Sequence, residues 1–220
     1  MATATPVRID FVSDVSCPWC AVGLKSLEQA LANLEGEVTA EIHFQPFELN
    51  PQMPAEGEDS TEHLMRKYAT SAEQIDANRA AIRARAEPLG FAFNMDRNSR
   101  VYNTFDAHRL LHWAELEGRH VPLKHALLRA YFSDGKNVSD REVLVRIAGD
   151  VGLDAHETRR VLDSGKYADE VRAQELRFQQ AGIHSVPAII VNDTYLIPGG
   201  QPPEVFERAL REIATEAAKI

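Results

Sequence analysis

The sequence predicts an α/β protein whose mixed sheet is built from the two ends of the chain and interrupted by a long helical block. Three observations lead there. Residues 7–44 read strand–helix–strand, and residues 187–213 read strand–strand–helix. Between them, from Thr61 to about Gly182, apolar residues recur at helical spacing and hardly a convincing strand occurs. The chain has 220 residues, ample for the core such an arrangement needs.

Each element has a local reason. Val7-Arg8-Ile9-Asp10-Phe11-Val12 alternates and then turns apolar, the pattern of a strand with one face well buried. Ser13 to Ser16 is a short polar connection. From Cys17 onward Ala21, Leu24, Leu27, Ala30, Leu31 and Leu34 keep helical spacing until Gly36 stops the helix. Val38 to Phe44 is a second strand, and a right-handed crossover makes it parallel to the first. Pro46 to Asp59, rich in Pro, Glu and Gly, is a loop. Helices are then expected near 61–69, 72–87, 99–117, 121–133, 140–150, 155–163 and 166–181, with Asp140 and Glu142 suited to a helix start. No fixed period links them, so a repeat solenoid is not supported. Pro187 to Val191 is a strand, and Asn192-Asp193 turns it into Tyr195-Leu196-Ile197 as a hairpin. Gly199-Gly200 breaks the chain, and Pro202-Pro203 starts a last helix with Val205, Phe206, Ala209, Leu210 and Ile213 on one face. Residues 1–58 and 183–220 thus form one α/β domain, and 59–182 an all-helical insertion domain.

Composition narrows the function. Hydrophobic residues make up 44% and charged residues 26%, an ordinary globular balance. A net charge of -9 argues against a nucleic-acid surface. The local basic run at Arg79, Arg83 and Arg85 alternates with acids and reads as a solvated helix face. No stretch approaches the ~18 apolar residues that span a bilayer, so no membrane role is expected. MATATPVRIDF lacks the basic stretch and long apolar run of a secretion signal, so the expected compartment is the cytoplasm. Structural disulfides are rare there.

The chain's only two cysteines lie in DVSCPWC, residues 14–20. Cys17 falls where the first strand hands over to a helix. Unpaired N–H groups and the positive end of the helix dipole favour a thiolate there. Cys20 lies one turn later, close enough to close a disulfide and farther from the dipole. Cys17 therefore suits the attacking nucleophile and Cys20 the resolving thiol, while Pro18 occupies the first helical turn at no cost. Buried structural cysteines, a structural disulfide and half of a zinc site compete with this reading. His108 and His112 have ligand-like i, i+4 spacing but lie far beyond the distance at which zinc fingers place histidines, so no metal is expected. A CxxC at the end of the first strand of a βαβ unit points to thioredoxin-like redox chemistry. Ser185-Val186-Pro187-Ala188 is a second signal. In a thioredoxin-type sheet the third strand runs antiparallel to the first and starts beside Cys17. A cis Val186–Pro187 bond there would turn the Val186 backbone toward an extended substrate.

SCPWC after a strand, SVPAIIVN and LIPGGQPPEVFERAL resemble the DsbA family of thioredoxin-fold oxidoreductases. FELNPQMPAEG and NTFDAHRLLHWAE are similar to its cytosolic, FrnE-like branch. The resemblance covers nearly the whole chain. It implies a thioredoxin-like fold interrupted by a helical domain, with Cys17 and Cys20 as the redox pair and Pro187 as the cis-proline. Trp19 and Val186 would contact substrate, and Pro18, Gly200 and Gln201 would sit on the active-site rim. Kappa-class glutathione transferases and 2-hydroxychromene-2-carboxylate isomerases share this layout but typically carry serine at the position of Cys17. A non-catalytic chaperone or binding module is the reading from another class.

The expected reaction is thiol–disulfide exchange on a disulfide-containing protein or a small-molecule thiol substrate, by a monomer or homodimer. No cofactor is expected to be bound, with glutathione as a candidate co-substrate. Strongly oxidising DsbA relatives carry histidine just before the second cysteine, where this chain has Trp19. An indole lends the thiolate no positive charge, so a less oxidising pair, working as reductase or isomerase, is expected.

Overall fold

The structure is a computed structural model and describes residues 4–94 and 100–217. The main sheet holds β1 (Thr5–Ser13), β2 (Val38–Pro46), β5 (Ala188–Val191) and β6 (Tyr195–Pro198) in the order β2-β1-β5-β6. β1 and β2 are parallel from Thr5↔Val38 to Ser13↔Pro46, whereas β5 runs antiparallel to β1 with Val12 opposite Ala188. Both ends of the chain therefore build one mixed sheet. That register sets Pro187, just before β5, beside the end of β1. The β5–β6 turn places Asn192 and Asp193 at φ 52° and 54°, which these two side chains tolerate better than most. Asn192 also exchanges hydrogen bonds with the backbone of Arg8, tying the turn to β1.

From Ile9 onward β1 is buried on both faces, more than its alternating start suggested. On one side Ile9 and Phe11 join the main core with Leu24 and Leu27 of α1 (Pro18–Asn33) and Phe206 and Leu210 of α9 (Pro203–Ala217). On the other, Val12 packs with Phe178 of α8 (Ala168–Gln180) and with Ile183. The inserted helices thus cover a face that local patterning left open.

The inserted block contains α2 (Ser60–Tyr68), α3 (Ala72–Ala86), α4 (Phe105–Leu116), α5 (His120–Phe132), α6 (Arg141–Asp150) and α7 (Ala155–Ser164) before α8. Side chains cap several of them. Asp140 accepts from the Val143 N–H, and Ser71 with Gln74 forms a reciprocal capping box. Two short strands also occur, one at the end of the expected loop and one within an expected helix: β3 (Glu58–Asp59) pairs antiparallel with β4 (Arg100–Val101). The helix expected at 99–117 accordingly begins at Phe105. Its expected first residue, Ser99, lies outside the described residues, as do residues 1–3 and 218–220 of the expected terminal domain. Among the described residues no helix is long and apolar enough to cross a membrane.

Candidate active site

β1 ends at Ser13, and a turn through Asp14 delivers Cys17 to the N-cap of α1 with Pro18 in the first helical turn. The Cys17 sulfur accepts the Cys20 backbone N–H at 3.3 Å, the position a capping oxygen would take. Both cysteines are free thiols. Cys17 is 4% exposed and Cys20 wholly buried behind it. The helix start thus aims the Cys20 N–H at the Cys17 sulfur.

The opposing wall comes from the far end of the chain. Val186–Pro187 is a cis peptide, and the Cys17 thiol lies 3.8 Å from the Val186 carbonyl oxygen, to which it donates. The Pro187 carbonyl accepts from the Gly199 N–H at 2.8 Å, which holds this loop to the end of β6. Trp19 and Val186 are half-buried and line a cavity with Cys17 and Pro18. Gly200 and Gln201 are placed differently. A Cβ on Gly200 would lie 2.9 Å from the Trp19 carbonyl oxygen, so its bare backbone allows the loop to touch α1. Gln201 turns its amide back to the Pro198 carbonyl. Neither lines the cavity.

Beneath the thiols lies a set of buried charges that sequence reasoning left without a role. Lys124 of α5 is fully buried, donates to Ser13 Oγ at 2.9 Å and faces the Phe44 ring at 5.5 Å. Burial pulls its ammonium below the usual lysine range, while Cys20, Asp14 and Cys17 act in the opposite direction. Burial pushes the Cys20 thiol well up, reinforced by the neighbouring Cys17 sulfur and opposed by Lys124. Asp14, also fully buried, accepts from the backbone N–H groups of Leu49 at 2.7 Å and Ser16 at 3.2 Å. His108 Nε2 stands 3.5 Å from the Asp14 carboxylate. His112 instead tilts against the Tyr167 ring, so the histidine pair does not converge. Among the described residues no three His, Cys, Asp or Glu side chains gather as metal ligands. One signal for Lys124 existed: with Leu127, Leu128 and Tyr131 it falls on the apolar face of its helix.

The cavity measures about 580 Å³. One wall carries Ser16 to Trp19 and Val186, and the other comes from α2, α3 and α5 of the inserted block. Its size suits a small ligand or an extended side chain. The Cys17 sulfur and the Val186 carbonyl that accepts from it thus lie at the cavity wall, with the second thiol buried behind them. That arrangement suits nucleophilic attack on sulfur followed by internal resolution.

The model of the DSBA-like thioredoxin domain matches residues 8–211. The structure superimposes on a probable DsbA oxidoreductase of Streptomyces coelicolor with a TM-score of 0.87 and 39% identity, covering 94% of this chain and 89% of that one. The cytosolic disulfide reductase DsbM of Pseudomonas aeruginosa shares the fold, with a TM-score of 0.63 and 18% identity over 93% of this chain and 97% of that one. In sequence the chain is 29% identical over 208 residues to YwbO of Bacillus subtilis, an uncharacterized protein, covering 94% of this chain and 96% of that one.

Proposed function

The chain belongs to the DsbA-like thioredoxin family, and from that premise we propose that it is a cytoplasmic thiol–disulfide oxidoreductase working as reductase or isomerase. The observation that carries this reading is the placement of two free thiols at one helix start, with Cys17 Sγ against the Val186 carbonyl and open to the cavity. Cys17 thiolate attacks one sulfur of a substrate disulfide, and the other sulfur leaves with the bonding electron pair. The product is a mixed disulfide on Cys17. Cys20 then gives up its proton, for which the neutral form of buried Lys124 is the proposed acceptor because the two groups act electrostatically on each other, and attacks Cys17 Sγ. The second substrate thiolate leaves, so the substrate gains two electrons and Cys17–Cys20 becomes a disulfide. Return to the dithiol consumes two equivalents of a thiol donor, for which glutathione is the proposed co-substrate.

Keeping both thiols favours this chemistry over the isomerase and transferase layouts that share the fold. Reduction of insulin disulfides in the presence of dithiothreitol provides the test. Cys17→Ser is expected to abolish it, and Cys20→Ser to accumulate mixed disulfides visible by intact mass. If both variants match the wild type, the redox reading gives way to that of a binding module.

A further inference from the structure

The cavity beside Cys17 has a charge character at odds with the rest of the chain. The sequence holds 33 acidic against 24 basic residues. Among the described residues no Asp or Glu lines this cavity, whereas Lys67 and Arg79 do. Most of the remaining wall is apolar, with Leu64, Ile75, Ile82 and Phe132 among it. An apolar space carrying cations and no anions is complementary to a ligand with an apolar body and a negative group.

The two cations are engaged differently. Arg79 donates to Ser60 Oγ, to Thr61 Oγ1 and to the solvent-facing Asp76, so its fork is largely used. Lys67 donates to the Leu49 carbonyl at 2.7 Å and to Asn50 Oδ1 at 2.8 Å, both neutral acceptors. No described carboxylate lies within ion-pair distance of it, although buried Asp14 acts on its charge from farther away. The loop that holds it is itself fixed, because Asp14 accepts the Leu49 N–H at 2.7 Å. Partial burial pulls this ammonium below the ordinary lysine range against the opposing effect of Asp14, and a carboxylate at Nζ would add to that opposition.

Access to the sulfur points to the size of the substrate. Cys17 is only 4% exposed, and it opens into the cavity. The cavity is of a size for a small molecule, which can carry a disulfide to the sulfur from within it.

We infer that the substrate of this site is a small-molecule disulfide with an apolar body and a carboxylate, the carboxylate bound at Lys67 and the sulfur–sulfur bond presented to Cys17. The inference rests on the thiol–disulfide reading and deepens it by naming the substrate class. Chemistry at sulfur is as before: the Cys17–S bond forms, the substrate S–S bond breaks, and the leaving thiolate keeps the electron pair. Lys67 takes no part in that step and acts only in binding.

Two chromogenic probes separate this inference from the reading beneath it. Reduced protein is mixed in stopped flow with 5,5′-dithiobis(2-nitrobenzoate), an aromatic disulfide carrying carboxylates, and with neutral 4,4′-dithiodipyridine. The readout is the ratio of the two rate constants, carboxylate reagent over neutral reagent. Lys67→Gln is expected to lower that ratio about fivefold, as befits a charge-assisted contact at an exposed cation, and Lys67→Arg to preserve most of it. A second measurement needs no variant. Naphthalene-2-carboxylate should slow the dithiodipyridine reaction of the wild type, and naphthalene-2-carboxamide should not. A ratio unchanged in Lys67→Gln, or equal inhibition by acid and amide, would overturn the inference while leaving disulfide exchange intact. Failure of both probes to react at Cys17, judged against Cys17→Ser, would instead remove the oxidoreductase reading itself.

Discussion

Lys124 reaches the base of the site from α5 with its ammonium wholly buried, and two outcomes follow from that placement. A buried cation beside Cys20 stabilises the thiolate that resolution requires, and its neutral form can take the thiol proton. Lys124→Met should therefore slow release of the mixed disulfide by about tenfold near neutral pH, with recovery as pH rises, because the loss of the cation leaves the Cys20 thiol harder to ionise. Stability should hold or rise, since an apolar isostere avoids desolvating a charge. Quenched-flow mass spectrometry across pH measures the first outcome, and an unchanged profile would detach Lys124 from resolution. Asp14 predicts a second pH dependence. Burial alone would push its carboxyl up, but His108 and the N–H groups of Leu49 and Ser16 outweigh that and hold it below the usual range. A depressed folded-state pKa contributes stability that is complete above the unfolded value of about 3.9 and is lost as pH falls through the folded one. Asp14→Asn should cost about 3 kcal/mol at pH 7 because it breaks a buried pair. Urea unfolding should show that gap narrowing below about pH 4. A gap independent of pH would mean that the carboxylate's charge is not what stabilises.

At the scale of elements, the site is a junction of α1 with the loops before β5 and after β6. The antiparallel register of β1 with β5 sets Pro187 there, and Gly200 lets the second loop touch the Trp19 backbone. Gly200→Ala places a methyl 2.9 Å from a main-chain oxygen, so one element must move. The expected cost is about 1–3 kcal/mol, with a parallel fall in insulin reduction as Trp19 shifts. Gly149 in α6 is the contrast, since a Cβ there meets nothing within 4 Å. Gly149→Ala should stabilise by roughly 0.5–1 kcal/mol through helix propensity alone. Thermal melts of the two variants should therefore move in opposite directions, and a shared direction would show that contact at Gly200 is not the governing effect.

The whole molecule shares one large core. The same cluster joins Ile9 and Phe11 of the sheet to Leu110, Leu127 and Val161 of the inserted helices. Sheet and insertion should consequently unfold together, although they are separable as stretches of sequence. The two tryptophans make this testable, because Trp19 lies at the active-site helix and buried Trp113 lies in α4. Trp113→Phe and Trp19→Phe each leave one reporter. Their fluorescence transitions in urea should coincide with each other and with far-UV circular dichroism. Transitions separated in midpoint would mean that the helical block has an independent stability.

Periodicity, caps and turn residues are local properties, and they determined the order of strands and helices, the hairpin at Asn192-Asp193 and the helix start at Cys17. The strand order implied by that reading also made the approach of Val186 to Cys17 legible. Two short strands escaped, because β3 and β4 have two residues each and exist through pairing across some forty positions. The charged layer under the thiols escaped for a related reason. Asp14 and His108 look like ordinary polar residues in their own segments, and Lys124, though it falls on an apolar helix face, carries no sign of what it meets there, since a buried polar group acquires meaning only from the partner that satisfies it. The burial of β1 on both faces was likewise invisible from its own alternation, since the covering helix α8 lies far along the chain. The cavity is the fullest case. Its walls come from α1, the loop after β2, α2, α3, β4, α5 and Val186, and the absence of acids among its described lining residues is a property of none of them singly. Backbone preference follows from neighbours in sequence, whereas desolvation and charge complementarity follow from neighbours in space, and only the folded chain brings those together.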